Sequence, residues 1–219
     1  MRIAVTAALF ALSLDLQAAE RPWHSYREVC QKLYLDKFYA EPRELRDKLL
    51  VRLKIARADG DPAPPALAIA ASSGRIELRP DAAGYTEFPV NADLLVEDPP
   101  VLTDAPAGRK LSVSLSLQPV LPSGNSFAYA DLMGAVEQAN AIVETQAGAL
   151  SWLAPRMKGV LLQYARAAGQ TARIGTGDAA VTITAGADGT LRLPLDQGLL
   201  RRNPPVILSQ HPDSADFID

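Results

Sequence analysis

Leu53-Lys54-Ile55-Ala56-Arg57-Ala58-Asp59-Gly60 reappears, with five of its eight residues identical, as Leu162-Gln163-Tyr164-Ala165-Arg166-Ala167-Ala168-Gly169, an offset of 109 residues. After a four-residue contraction in the loop the offset becomes 105 and holds without gaps. Gly84, Pro89, Leu94, Leu95, Pro99, Pro100 and Val101 then match Gly189, Pro194, Leu199, Leu200, Pro204, Pro205 and Val206. Self-similarity at one spacing over so long a stretch marks a duplicated structural unit.

The two copies share the same local physics. Asp188-Gly189 is a hairpin signal, and Gly84 supplies the same permissive backbone in the first copy. Pro89 and Pro194 end strands by removing a donor, and Asn91 and Asp196 then stand where a short helical turn needs a cap. Pro99-Pro100 and Pro204-Pro205 restart an extended chain.

Working outward, Ser25-Tyr26-Arg27-Glu28 has capping-box spacing, and Tyr26, Val29, Cys30 and Leu33 fall on one helical face, predicting a helix over 25–36. Leu49, Val51, Leu53 and Ile55 alternate with Leu50, Arg52 and Lys54 as in a half-buried strand. Further strands are expected over 67–72, 75–79, 85–90, 160–165, 171–174, 180–184 and 191–195, with turns at Asp59-Gly60-Asp61-Pro62, Ser73-Gly74 and Asp81 to Gly84. The sharpest strand signal is Leu111, Val113, Leu115 and Leu117 alternating with Ser112, Ser114 and Ser116, the apolar side chains expected on a core and the serines on water. From Tyr129 to Leu150 the period changes: Tyr129, Leu132, Met133, Val136, Ala139 and Val143 share a face of one long helix, and Pro155 bars any helix beyond it. The expected architecture is α+β, two tandem units, each a helix packed on an antiparallel β-sheet, over 20–118 and 119–210. Residues 211–219 read as a disordered acidic tail.

The chain has 219 residues, and 22 Lys+Arg against 25 Asp+Glu leave a net charge of −3, which supplies no basic surface for nucleic acid. With 48% hydrophobic and 21% charged residues the chain is globular in composition. Arg2, an uncharged run from Ile3 to Leu14, and Ala18-Ala19 read as a signal peptide over 1–19, despite the bulky Leu16 and Gln17 near the cut. As a helix that run spans about 18 Å, against roughly 30 Å of bilayer hydrocarbon, so no membrane span is expected. The other reading, a buried N-terminal helix, finds no partner later in the chain. Cys30, the single cysteine, excludes an internal disulfide and a cysteine zinc cage, lacks lipoprotein context, and reads as a small buried hydrophobe with intermolecular pairing as the alternative.

Leu193-Pro194-Leu195-Asp196, Leu199 and Asn203-Pro204-Pro205-Val206 resemble a pattern in a family of small exported proteobacterial proteins of uncharacterised function. An early Tyr-rich helix, a middle helix near Trp152 and Pro155 and a strand from Gly159 agree in order, so that the resemblance takes in about half the chain. Members of that family carry further cysteines in the strands, which this chain lacks. The resemblance implies export and no activity.

No catalytic, cofactor-binding or metal-ligating set stands out. His24, beside Trp23 at the mouth of the first helix, reads as a solvated or capping group rather than a general base. His211 with Asp213, Asp216 and Asp219 offers ligand types for a divalent ion but no rigid frame. No Gly-x-Ser-x-Gly elbow occurs; Ser72-Ser73-Gly74 and Pro122-Ser123-Gly124-Asn125-Ser126 read as turns. Gly175-Thr176-Gly177-Asp178 lacks the Gly-Lys-Ser/Thr ending of a phosphate loop. Glu137 and Glu144 share a helix face turned to water, and Arg201-Arg202 is a surface pair. The expectation is a non-catalytic periplasmic or secreted binding module, acting on a protein, peptide or apolar ligand of the cell envelope, with no cofactor. The alternative is a carboxylate-based hydrolase of envelope polymers, which needs two facing carboxylates about 5 to 9.5 Å apart.

Overall fold

The computed structural model describes residues 20–58, 63–81, 83–147, 156–165 and 169–219. The expected signal peptide, the 59–62 turn and the stop at Pro155 lie outside the described residues. The first half runs β1 (Arg21–Ser25), α1 (Tyr26–Lys32), α2 (Leu35–Ala40), β2 (Leu49–Arg57), β3 (Leu67–Ala71), β4 (Gly74–Leu78), β5 (Tyr85–Thr86), α3 (Ala92–Glu97), β6 (Pro100–Thr103) and β7 (Leu111–Pro119). The second runs β8 (Ser126–Ala128), α4 (Tyr129–Ala147), β9 (Gly159–Gln163), β10 (Thr171–Ile174), β11 (Val181–Thr184), β12 (Thr190–Pro194), α5 (Gln197–Arg202), β13 (Pro205–Leu208) and β14 (Ser214–Ile218). The fold is α+β.

Strand order repeats element for element. The first half pairs as β1-β6-β3-β4 and β5-β2-β7, the second as β8-β13-β10-β11 and β12-β9-β14. Each half therefore holds two antiparallel sheets rather than the single one expected, because β2 and β9 pair with strands later in their repeats and not with β3 and β10. The register follows the sequence offsets. Leu53 faces Thr86 and Leu115, as Leu162 faces Leu191 and Ala215. Ile69 faces Val101, as Ile174 faces Val206. The change from 109 to 105 thus falls in the loop between β2 and β3 and its counterpart.

Caps fall where the residue types demand them: Asn91 Oδ1 accepts the Leu94 N–H and Asp196 Oδ1 the Leu199 N–H, both at 2.8 Å. Ser25 Oγ accepts the Glu28 N–H at 3.3 Å. Two core clusters meet on α4, which buries Ala135, Ala139 and Ile142 in the first and Tyr129, Leu132, Met133 and Val136 in the second. A one-faced helix was expected; α4 is two-faced because it is the wall between the repeats, and burying each large side chain there contributes about 2 kcal/mol.

Three other expectations are corrected. The tail, expected to fray, forms β14 against β9, with Ala215 buried and Phe217 packed on both cores; it occupies the place of β7 in its repeat. The strand over 85–90 shrinks to two residues, since Pro89 and its neighbours lead into the α3 cap. The helix over 25–36 ends at Lys32 and a second begins at Leu35.

Candidate functional site

The break between α1 and α2 shapes the site. Tyr34 sits in the left-handed region, with φ 56° and ψ 22°, a conformation that costs a non-glycine residue on the order of 1 kcal/mol. Its side chain is exposed, with the Lys37 ammonium 4.9 Å from the ring centre. The turn leaves β7 incompletely covered. Its apolar side chains, expected on a core, are half-buried at Leu111, Val113 and Leu117, and Leu115 is 36% exposed.

The uncovered strip is one wall of an open groove of about 620 Å³. Leu33, Tyr34 and Phe38 of the broken helix form its roof, and Leu115 and Leu117 its floor. Ile142 and Val143 of α4, with Met157 and Phe217, close the side contributed by the second repeat. Beyond Leu33 a smaller concavity of about 230 Å³ continues past Leu111 and Val113 to Trp23. The second repeat has no break in α4, and Ala215, the counterpart of Leu115, is buried.

The polar lining is acidic or neutral. Asp216 and Asp219 are its charged residues, joined by Ser116, Tyr85 and Gln146. Asp216 is held in place: Oδ1 accepts from the Gln118 amide at 3.3 Å and Oδ2 from the Gln163 amide at 3.1 Å. Asp219 is exposed. Gln146 Nε2 is shielded from solvent and finds no acceptor among the described residues.

The residues singled out in the sequence are scattered. His24 lies in β1, its ring edge-on to Trp23 and its Nδ1 2.9 Å from Glu28 Oε2. Lys32 first and His24 second hold the Glu28 carboxyl below its ordinary range by hydrogen bonding. His211 contacts the carbonyls of Pro212 and Pro122 at 2.9 and 3.3 Å, and Asp213 accepts the Ala165 N–H at 2.6 Å. His211, Asp213, Asp216 and Asp219 therefore do not converge, and no group of three ligand residues forms among the described residues. Glu137 accepts from Gln197 at 3.5 Å and Glu144 is exposed. Ser72 and Ser73 make the β3–β4 turn, Gly177 opens a 3-10 turn between β10 and β11, and Arg201 and Arg202 are exposed in the last turn of α5. Cys30 is fully buried, and burial pushes its thiol up to about 11, which makes it a poor nucleophile.

Sequence reasoning missed Tyr34, Gln146 and Phe217 and misplaced Leu115. Only the β7 alternation pointed to the region, and alternation says which side chains share a face, not what covers it. Comparison of the chain with protein-family models, with known proteins and with solved structures gives no match in any of the three.

Proposed function

We propose that this is a non-catalytic, exported envelope protein that binds an apolar ligand in the groove between its repeats. One observation carries the reading: the half-covered face of β7 opens into a 620 Å³ groove roofed by a strained, exposed tyrosine. Apolar concavities with few polar groups are what ligand sites require, and strained backbone concentrates where function keeps it. The Arg2 to Ala19 stretch and the resemblance to small exported proteobacterial proteins support export. No described helix is long and apolar enough to cross a membrane. The hydrolase alternative draws no support from the groove's two carboxylates, because Asp216 is tied to two amides and Asp219 is open to solvent.

The test uses N-phenyl-1-naphthylamine, a fluorescent apolar probe. Saturable binding to the full chain, abolished by Leu115→Lys, is expected; equal binding by that variant, or no binding by the parent, overturns the reading. N-terminal sequencing of protein recovered from the periplasm of an expressing Gram-negative host should start at Ala19 or Glu20; retention of Met1 overturns export.

A further inference from the structure

The main chain of the groove wall narrows the ligand class, on the reading that the groove is the binding site. The ladder between β2 and β7 is framed by the Ala58 N–H donating to the Lys110 carbonyl at 3.1 Å and the Val120 N–H donating to the Lys48 carbonyl at 2.9 Å. In an antiparallel pair the bonded residues alternate, so the even-numbered residues of β7 exchange hydrogen bonds with β2. Val113, Leu115 and Leu117 do the opposite and turn their N–H and C=O groups away from β2. β7 is the edge of its sheet, and β14, which runs nearby, belongs to another sheet with no ladder between the two. Main-chain donors and acceptors that no neighbouring strand pairs thus lie along the strip whose side chains line the groove.

Edge strands are ordinarily guarded by charge, as β4 is by Arg75 and Glu77. β7 carries no charged residue from Leu111 to Pro119. An acyl chain laid in the groove would cover these main-chain groups without pairing them; an extended peptide would pair them and drop alternate side chains between Leu33, Phe38 and Ile142. Asp216 and Asp219, with no lysine or arginine in the lining, favour a cationic group on that peptide. We infer that the groove takes an extended apolar peptide bearing a basic residue, added as a further strand along β7.

The experiment is displacement of N-phenyl-1-naphthylamine from the full chain by a capped heptapeptide with valine at alternate positions and a central lysine. Displacement is expected, weakened about tenfold by N-methylation of alternate peptide amides and by replacing the peptide lysine with glutamate. Asp219→Asn should narrow the lysine–glutamate difference while leaving the effect of N-methylation unchanged. Equal potency of the N-methylated peptide, no displacement by either peptide, or tighter displacement by laurate or dodecylamine overturns the peptide assignment while the groove reading stands. Failure of the probe itself to bind takes both down.

Discussion

The Tyr129 hydroxyl donates to the Pro194 carbonyl at 2.8 Å while accepting the Asp196 N–H at 3.0 Å. The first repeat builds the same bridge: the Tyr26 hydroxyl donates to the Pro89 carbonyl at 2.7 Å and accepts the Asn91 N–H at 3.3 Å. Each tyrosine is buried at the start of its helix and pins the strand-to-cap corner on which α3 or α5 begins. Tyr26→Phe and Tyr129→Phe should each cost about 1–2 kcal/mol, because a carbonyl and an N–H lose a shared partner. Urea unfolding of both variants checks this; a cost confined to one repeat would break the equivalence.

Gly159 and Gly134 separate backbone from side-chain crowding. A Cβ on Gly159 would lie 2.3 Å from the Leu193 carbonyl oxygen and 2.9 Å from Pro194 Cα, neither of which can yield without opening the β9–β12 pair. Gly159→Ala should destabilise by about 1–3 kcal/mol. On Gly134 the Cβ meets only the flexible Lys48 side chain, so Gly134→Ala should be neutral or stabilising by up to about 1 kcal/mol through helix propensity. Thermal melts of the two variants should diverge in opposite directions.

Tyr34→Gly relieves the left-handed strain and gives up little burial, so stability should rise by about 0.5–1 kcal/mol. If the ring serves the groove, affinity for the naphthylamine probe should fall in the same variant. A gain in both stability and affinity would show that Tyr34 has no binding role.

Stability should fade at both ends of the pH scale. Partial burial works to raise Asp81, but the Tyr85 N–H and the Arg52 guanidinium outweigh it and hold the carboxyl below 3.8. Main-chain N–H donors from Arg27 and Thr190 lower Asp98 and Asp188. Depressed carboxyls contribute stability that is complete above the ordinary carboxylate range and is lost as pH falls through their folded values, hence below about pH 4. Burial raises the phenols of Tyr26, Tyr129 and Tyr164, whose contribution is complete below 10.0 and is lost as pH rises above it. Denaturant midpoints should form a plateau between these limits.

The amino-acid sequence alone determined the duplication and its register, the caps at Asn91 and Asp196, and most strands, because each rests on short-range rules: side-chain period, turn chemistry and the missing donor of proline. Where it misled, the cause was non-local. The tail looked polar from His211 to Asp219, yet it becomes a strand, with Ala215 buried, once β9 offers it an edge. Leu115 looked like core, yet its cover is removed by the turn at Tyr34, some eighty residues earlier, and the far wall of its groove is α4 of the other repeat. Which face meets water is set by the elements that pack against it, and only the tertiary arrangement decides which elements those are.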